Sequence, residues 1–153
     1  MAGARVLYQF DDRELREMIQ QTGDRIKNVL PAMKAFGEYM VMATQDRFAA
    51  EKAPDGSGWK ALSPRTENWK EEHGKIDKIL QQDGYLRLIH YTPDNAGLTL
   101  SSNRKYAAIH QYGGMAGRGR KVEIPKREFL GFSDADKAEF METVKDYLML
   151  GRA

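Results

Sequence analysis

The chain has 153 residues, a length that fits one domain and lets about 68–70% of the unfolded surface be buried without a metal or disulfide staple. It contains no cysteine, which excludes disulfides, thiolate catalysis and every Cys-ligated zinc or iron–sulfur site and suits a reducing compartment. Lys and Arg number 24 against 22 Asp and Glu, a balance that argues against a dedicated polyanion binder.

No apolar run reaches the roughly 18 residues of a membrane-spanning helix. Met1 to Phe10 is too short and too mixed for the apolar region of a signal peptide, so the chain is expected to fold and work where it is made. Val6, Tyr8 and Phe10 alternate with Arg5, Leu7 and Gln9, a short strand pattern. Asp11 followed by Glu14 fits a capping box, which starts a helix near Asp12. Leu15, Met18, Ile19, Ile26 and Val29 continue it as an apolar stripe, with a break expected at Gly23. Pro31 suits the first turn of a second helix, whose stripe of Met33, Phe36, Met40, Thr44 and Phe48 runs to about Lys52. Pro54-Asp55-Gly56-Ser57-Gly58 stops it with turn chemistry, and Trp59 is expected to anchor against it.

Ser63-Pro64 opens a polar helix over 64–74. Ile79, Leu80, Leu86 and Ile89 flank Gly84 as a buried passage from turn to strand. Residues 86–92 and 97–102 read as strands joined by a loop at Thr92-Pro93-Asp94-Asn95-Ala96-Gly97. A short helix over Lys105 to Tyr112 carries Tyr106, Ile109 and Tyr112. Gly113 to Gly119 reads as a flexible loop, and Val122 and Ile124 as a strand stopped by Pro125. Ser133 or Asp134 caps a last helix with Phe140, Val144, Tyr147 and Leu148 on its apolar side. Strands and helices do not alternate regularly. The class is therefore α+β: long N-terminal helices packed on a small antiparallel sheet, with a C-terminal helix. One domain over 1–153 is expected, with a mobile loop near 113–121.

Nothing along the chain carries a catalytic or cofactor signature. His73, His90 and His110 include no pair at helical metal spacing. His73 reads as solvated, His90 as lying on a strand face, and His110 as lying on a short helix at a surface or interface. Gly114 to Lys121 resembles a phosphate loop only superficially. Arg120 stands where that loop needs its lysine, Lys121 where it needs a hydroxyl, and a strand follows instead of a helix. Asp55 to Gly58 lacks the spaced oxygens of a calcium loop. No serine sits in a nucleophile elbow, and Glu71 and Glu72 point to different helix faces. No metal and no cofactor are expected, and an enzyme with a nonlocal site is the weakest reading.

The basic stretch Arg118, Arg120, Lys121, Lys126 and Arg127 can be read in two ways. Lys and Arg release counterions from phosphates, which suits a nucleic-acid-binding module. The balanced overall charge favours the other reading, a loop that docks on an acidic protein surface. Met40, Met42, Met141 and Met149 fall in helices, where Met packs cores and also suits adaptable interfaces.

Three stretches in order resemble the phage virion morphogenesis family of Mu-like G proteins and tail completion proteins. The first is Arg47-Phe48 with Pro54-Asp55-Gly56, Trp59, Leu62 and Thr66. The second is Ile79-Leu80-Gln81 with Gly84, Leu86 and Ile89. The third is the most specific: Ser102-Asn103, Tyr106-Ala107-Ala108-Ile109-His110-Gln111-Tyr112-Gly113, Ile124-Pro125, Arg127 and Phe129-Leu130-Gly131. The likeness spans about residues 5 to 132. Lys126 and Glu128 flank Arg127 where the family often has Ala and Pro.

The resemblance implies structural work in a virion. Family members finish the tail and make it competent to join the DNA-filled head, and similar neck proteins form rings, often of six copies. The expected place is the neck or tail end, after assembly in the host cytoplasm. The expected partners are further copies of the chain, the tail tube and head–tail connector proteins, with packaged DNA close by and no membrane. The expected interface residues are Tyr106, His110, Gln111, Tyr112, Arg118, Arg120, Lys121 and Arg127, because Tyr and Arg dominate interface hot spots.

Overall fold

The structure, a computed structural model, describes residues 13–152. The strand expected at Val6 to Phe10 and the cap at Asp11 lie outside the described residues. Within them the order is helix α1 (Arg13–Lys27), α2 (Leu30–Ala50), α3 (Pro64–Glu72), a 3-10 turn (Tyr85–Arg87), strands β1 (His90–Pro93) and β2 (Leu98–Ser101), α4 (Ala107–Tyr112), β3 (Gly114–Ala116), β4 (Val122–Ile124) and α5 (Asp134–Leu150). The strands form two separate antiparallel hairpins, β1–β2 and β3–β4. The α+β class and the C-terminal helix are as the sequence predicts.

The central element is α2. Pro31 sits in its first turn, where no backbone N–H is needed. Ala32, Met33, Phe36, Met40, Thr44 and Phe48 recur every three or four residues and are all buried. The one hydroxyl in that stripe, on Thr44, donates to Met40 O at 2.7 Å. Gly37 lies in the same buried face because the Tyr91 ring of β1 packs directly on it. An added Cβ would come within 2.2 Å of that ring. The helix ends at Glu51, which adopts φ +55° and sends its N–H to Arg47 O. Its carboxylate accepts the Ile79 N–H at 2.7 Å.

The main core forms beside the C-terminal half of α2, from Phe48, Trp59, Ile79, Leu86, Ile89, Ala107 and Phe129. Trp59 meets Phe48 edge-on at 5.3 Å and 79°, and its Nε1–H donates to Glu128 O at 2.8 Å. The expected anchor role of Trp59 is thus met, with its polar tip satisfied. Toward the other end of α2, Phe36 packs on Phe140 of α5 at 5.0 Å. The last helix is capped as a reciprocal box: Ser133 Oγ accepts from Asp136 N at 3.0 Å, and Asp136 Oδ2 accepts from Ser133 N at 2.7 Å.

Four expectations need correction. Helix α1 does not break at Gly23 but runs unbroken to Lys27. Arg25, past that glycine, donates to Leu148 O at 2.8 Å, and this tertiary anchor offsets the weak helix propensity of glycine. Three members of the apolar stripe of α1, Met18, Ile19 and Ile26, are exposed and not packed in the core. The first strand begins at His90, not residue 86. Gly84 at φ +71° turns the chain into the 3-10 turn, which drives Leu86 into the core. Finally, the loop expected from Gly113 to Gly119 contains β3, which pairs Gly114 with Ile124 and Ala116 with Val122. Its glycine-rich sequence hides the strand, because pairing there depends on β4 and not on side-chain alternation.

Candidate functional site

Tyr106 N-caps the six-residue helix α4, which carries His110, Gln111 and Tyr112. So short a helix has little stability of its own. Three long-range anchors hold it. Gln111 is buried and works as a side-chain clamp: its Nε2 donates to Leu130 O at 2.7 Å, while its Oε1 accepts from Phe129 N at 3.1 Å and Leu130 N at 3.0 Å. The Arg127 N–H donates to His110 O at 2.7 Å. Gly113 adopts φ +76°, and a Cβ there would stand 3.0 Å from Lys126 N, so only glycine lets the two backbones approach.

Arg127 is the second clamp. Its Nε donates to Lys60 O at 2.7 Å and its Nη2 to Ala61 O at 2.9 Å. It is only 7% exposed, and burial pushes its guanidinium below the usual arginine range. Gln111 and Arg127 therefore lie inside the chain and hold its own fold together, whatever the surface above them meets.

The remaining expected interface residues reach solvent to different degrees. Tyr112 is 76% exposed and Tyr106 is 43% exposed. His110 is half-buried. Its ring meets Tyr106 edge-on at 6.1 Å, and its Nδ1 is enclosed with no hydrogen-bond partner among the described residues. Burial, and then the Arg127 charge, push its pKa below the ordinary histidine value. Arg118, Arg120 and Lys121 are exposed at the tip of the β3–β4 hairpin. The tip turns through Gly117, Gly119 and Arg120, all at positive φ, with Arg120 N donating to Gly117 O at 3.0 Å. Among the described residues none of these three cations forms an ion pair.

These elements enclose a groove of about 590 Å³. Its walls come from the 60–70 segment, the turn around Gly84, α4 and β4, and include Lys60, Lys70, Leu86, Tyr106, Ile124 and Arg127. Lys70 is 4% exposed and donates to Ile76 O at 2.9 Å and Lys78 O at 2.5 Å. Burial pulls its pKa down. The size falls in the range of ligand-binding clefts, but no nucleophile–base pair faces it. No cluster of three or more metal-ligating side chains occurs among the described residues. No described helix is long and apolar enough to cross a membrane.

Sequence reasoning missed the polar core beside this site. Arg47 pairs with Asp136 in the interior. Arg47 also donates to Gly131 O at 2.8 Å, and Tyr39 Oη donates to Asp136 Oδ1 at 3.1 Å. Two signals were present. Arg47 lies on the buried stripe next to Phe48, where a charge demands a partner. Ser133 and Asp136 have capping-box spacing.

A stretch of 138 residues is 29% identical to the Mu-like prophage FluMu G protein 2 of Haemophilus influenzae, covering 90% of this chain and 91% of that protein. Over 112 residues the chain is 30% identical to the putative capsid assembly protein G of Escherichia phage Mu, covering 69% of this chain and 70% of that protein. No solved structure matches the chain. The model of the phage virion morphogenesis family matches residues 10–149, and the chain belongs to that family.

Proposed function

We propose that the chain is a structural phage protein of the head–tail junction. It completes or terminates the tail and permits head joining, and it acts as a ring of copies at the neck or tail end of the virion. Its partners in this reading are its own copies, the tail tube and head–tail connector proteins. Family membership and the capsid-assembly name of the phage Mu relative support an assembly role. The observation that carries the finer reading is the β3–β4 hairpin. Its tip carries three exposed cations that form no ion pair among the described residues, and α4, which precedes it with exposed Tyr106 and Tyr112, is held by Gln111 and Arg127. A firmly held base with a charged, aromatic surface suits docking, because little order is lost on binding. Exposed Met42, Met115, Met141 and Met149 add adaptable apolar surface. No enzymatic role is proposed.

The test is the mass of the purified protein, alone and mixed with tail tubes, with negative-stain images of the same samples. Rings, or discs capping tube ends, are expected. Replacing Arg118, Arg120 and Lys121 with Ala should block assembly while the monomer stays folded, and normal particles from that triple variant would sink the interface assignment. The same unpaired cations favour a second reading, a nucleic-acid-binding module. Salt-dependent binding in a gel-shift assay would support it, and no binding even at low salt would remove it.

A further inference from the structure

The groove contains an electrostatic mismatch. Three cations line it, Lys60, Lys70 and Arg127. Two carboxylates also line it: Asp83, which pairs with Lys75 at 3.0 Å, and Glu123, which is exposed. Arg127 and Lys70, both over nine-tenths buried, bond only to backbone carbonyls and form no ion pair among the described residues. Lys70 pairs with no carboxylate among the described residues but lies within coulombic reach of Asp77 and Glu51. Arg127 is buried with no described carboxylate to offset its charge, a costly state that a carboxylate brought in from outside would relieve. Two of the five guanidinium N–H groups of Arg127 are used by Lys60 O and Ala61 O. The apolar part of the wall, Leu62, Leu80, Leu86 and Ile124, calls for an occupant that is apolar as well as acidic.

The chain carries such a surface elsewhere. Glu139, Glu142 and Asp146 of α5 line a shallow cleft of about 270 Å³ with Ala35 and Tyr39 of α2, three carboxylates against one cation, Arg152. Met149 and Leu150, one turn beyond Asp146, are exposed. The ion pair of Glu142 with Lys145 is exposed and readily exchanged. Helix α5 is fixed to the first two helices and their junction by Arg25 to Leu148 O, Tyr39 to Asp136 and Tyr147 to Asn28 O. The groove is built from other elements, so the two surfaces meet only between two copies.

We infer that the groove of one copy receives the acidic, Met-bearing face of α5 from the next copy. This contact deepens the ring reading and rests on it. It is heterologous, since the surface given and the surface received differ, and repetition of such a contact closes a ring when the rotation allows.

Charge reversal in trans tests this. One variant carries Lys60→Glu in the groove lining, and the other carries Glu139→Lys and Glu142→Lys on α5. Circular dichroism and thermal melting first establish that both are folded. Association is then followed by sedimentation and negative stain at low salt. Each variant alone should associate at least about tenfold more weakly than the parent, since like charges then face each other across the contact. An equimolar mixture should regain association, because each altered surface then meets its complement. Parent-like rings from either variant alone would overturn the inference and leave the ring reading intact. Failure of the mixture, or loss confined to the groove variant, would mean that something other than α5 fills the groove. A parent that stays monomeric, alone and with tail tubes, would overturn both.

Discussion

Replacing Asp136 with Ala should be among the most damaging single changes in the chain. Asp136 is 2% exposed, and it meets Arg47, Tyr39 Oη and the Ser133 N–H. Its loss leaves the Arg47 guanidinium, itself only 9% exposed, with a single carbonyl partner at Gly131. Breaking a buried pair from one side costs about 3–5 kcal/mol. The orphaned tyrosine hydroxyl and the broken capping box act in the same direction. A total near 4 kcal/mol is a large part of the roughly 5–15 kcal/mol that holds a domain folded. At about 2–4 °C per kcal/mol for a domain of this size, the melting temperature should fall by roughly 8–16 °C. Urea denaturation, followed by circular dichroism, measures the change. Arg47→Met should add much less in the Asp136→Ala background than in the parent, because the two groups act as one unit. A loss below about 1 kcal/mol, or strictly additive effects of the two changes, would refute the idea that this pair is a structural unit.

Arg127→Lys should cost about 2 kcal/mol in the same assay, because an ammonium cannot serve both the Lys60 and Ala61 carbonyls with the fork geometry of a guanidinium. An unchanged denaturation midpoint would contradict the clamp. His110 has its pKa pushed down by burial and then by Arg127, so the native state resists protonation. The stability this group contributes is complete above its unfolded pKa of about 6.5 and is lost as pH falls from there toward the folded value. A His110→Gln variant should show a flatter fall in stability below about pH 6.5 than the parent, and parallel curves would rule the effect out. Gly37→Ala should destabilise by about 1–3 kcal/mol despite the better helix propensity of alanine, since its Cβ would strike the Tyr91 ring. A rise in melting temperature would show that the ring moves aside at little cost.

What the sequence revealed about this protein follows one rule: it is legible where the deciding interactions are local. The stripe from Met33 to Phe48 fixes the buried face of α2, because residues three and four apart share a face whatever lies opposite. Ser63 and Ser133 mark the starts of α3 and α5, because each cap bonds to an N–H three residues on. Asp94 closes the first hairpin by accepting the N–H groups of Ala96 and Gly97, each at 2.7 Å. The family likeness was legible for a related reason: Gly113, Gln111, Arg127 and Trp59, which bind distant strands and loops into one site, stand in the motifs that carry it.

The tertiary structure decided the rest. Arg118 and Arg127 are the same residue type nine positions apart, and nothing local separates them. One is exposed on a hairpin tip. The other is held in the wall of the groove, 7% exposed, because carbonyls 66 and 67 residues earlier in the chain come within reach of its guanidinium. The stripe of α1 has helical spacing, yet Met18, Ile19 and Ile26 stay exposed. Periodicity places residues on one face of a helix but does not supply the surface that would cover it. Arg47 and Asp136, 89 positions apart, became partners only because α2 and α5 pack together. The groove beside Arg127 exists only where the 60–70 segment, the turn around Gly84, α4 and β4 converge. Sequence determines which groups the chain offers, and long-range packing determines which of them lose their water and must find a partner.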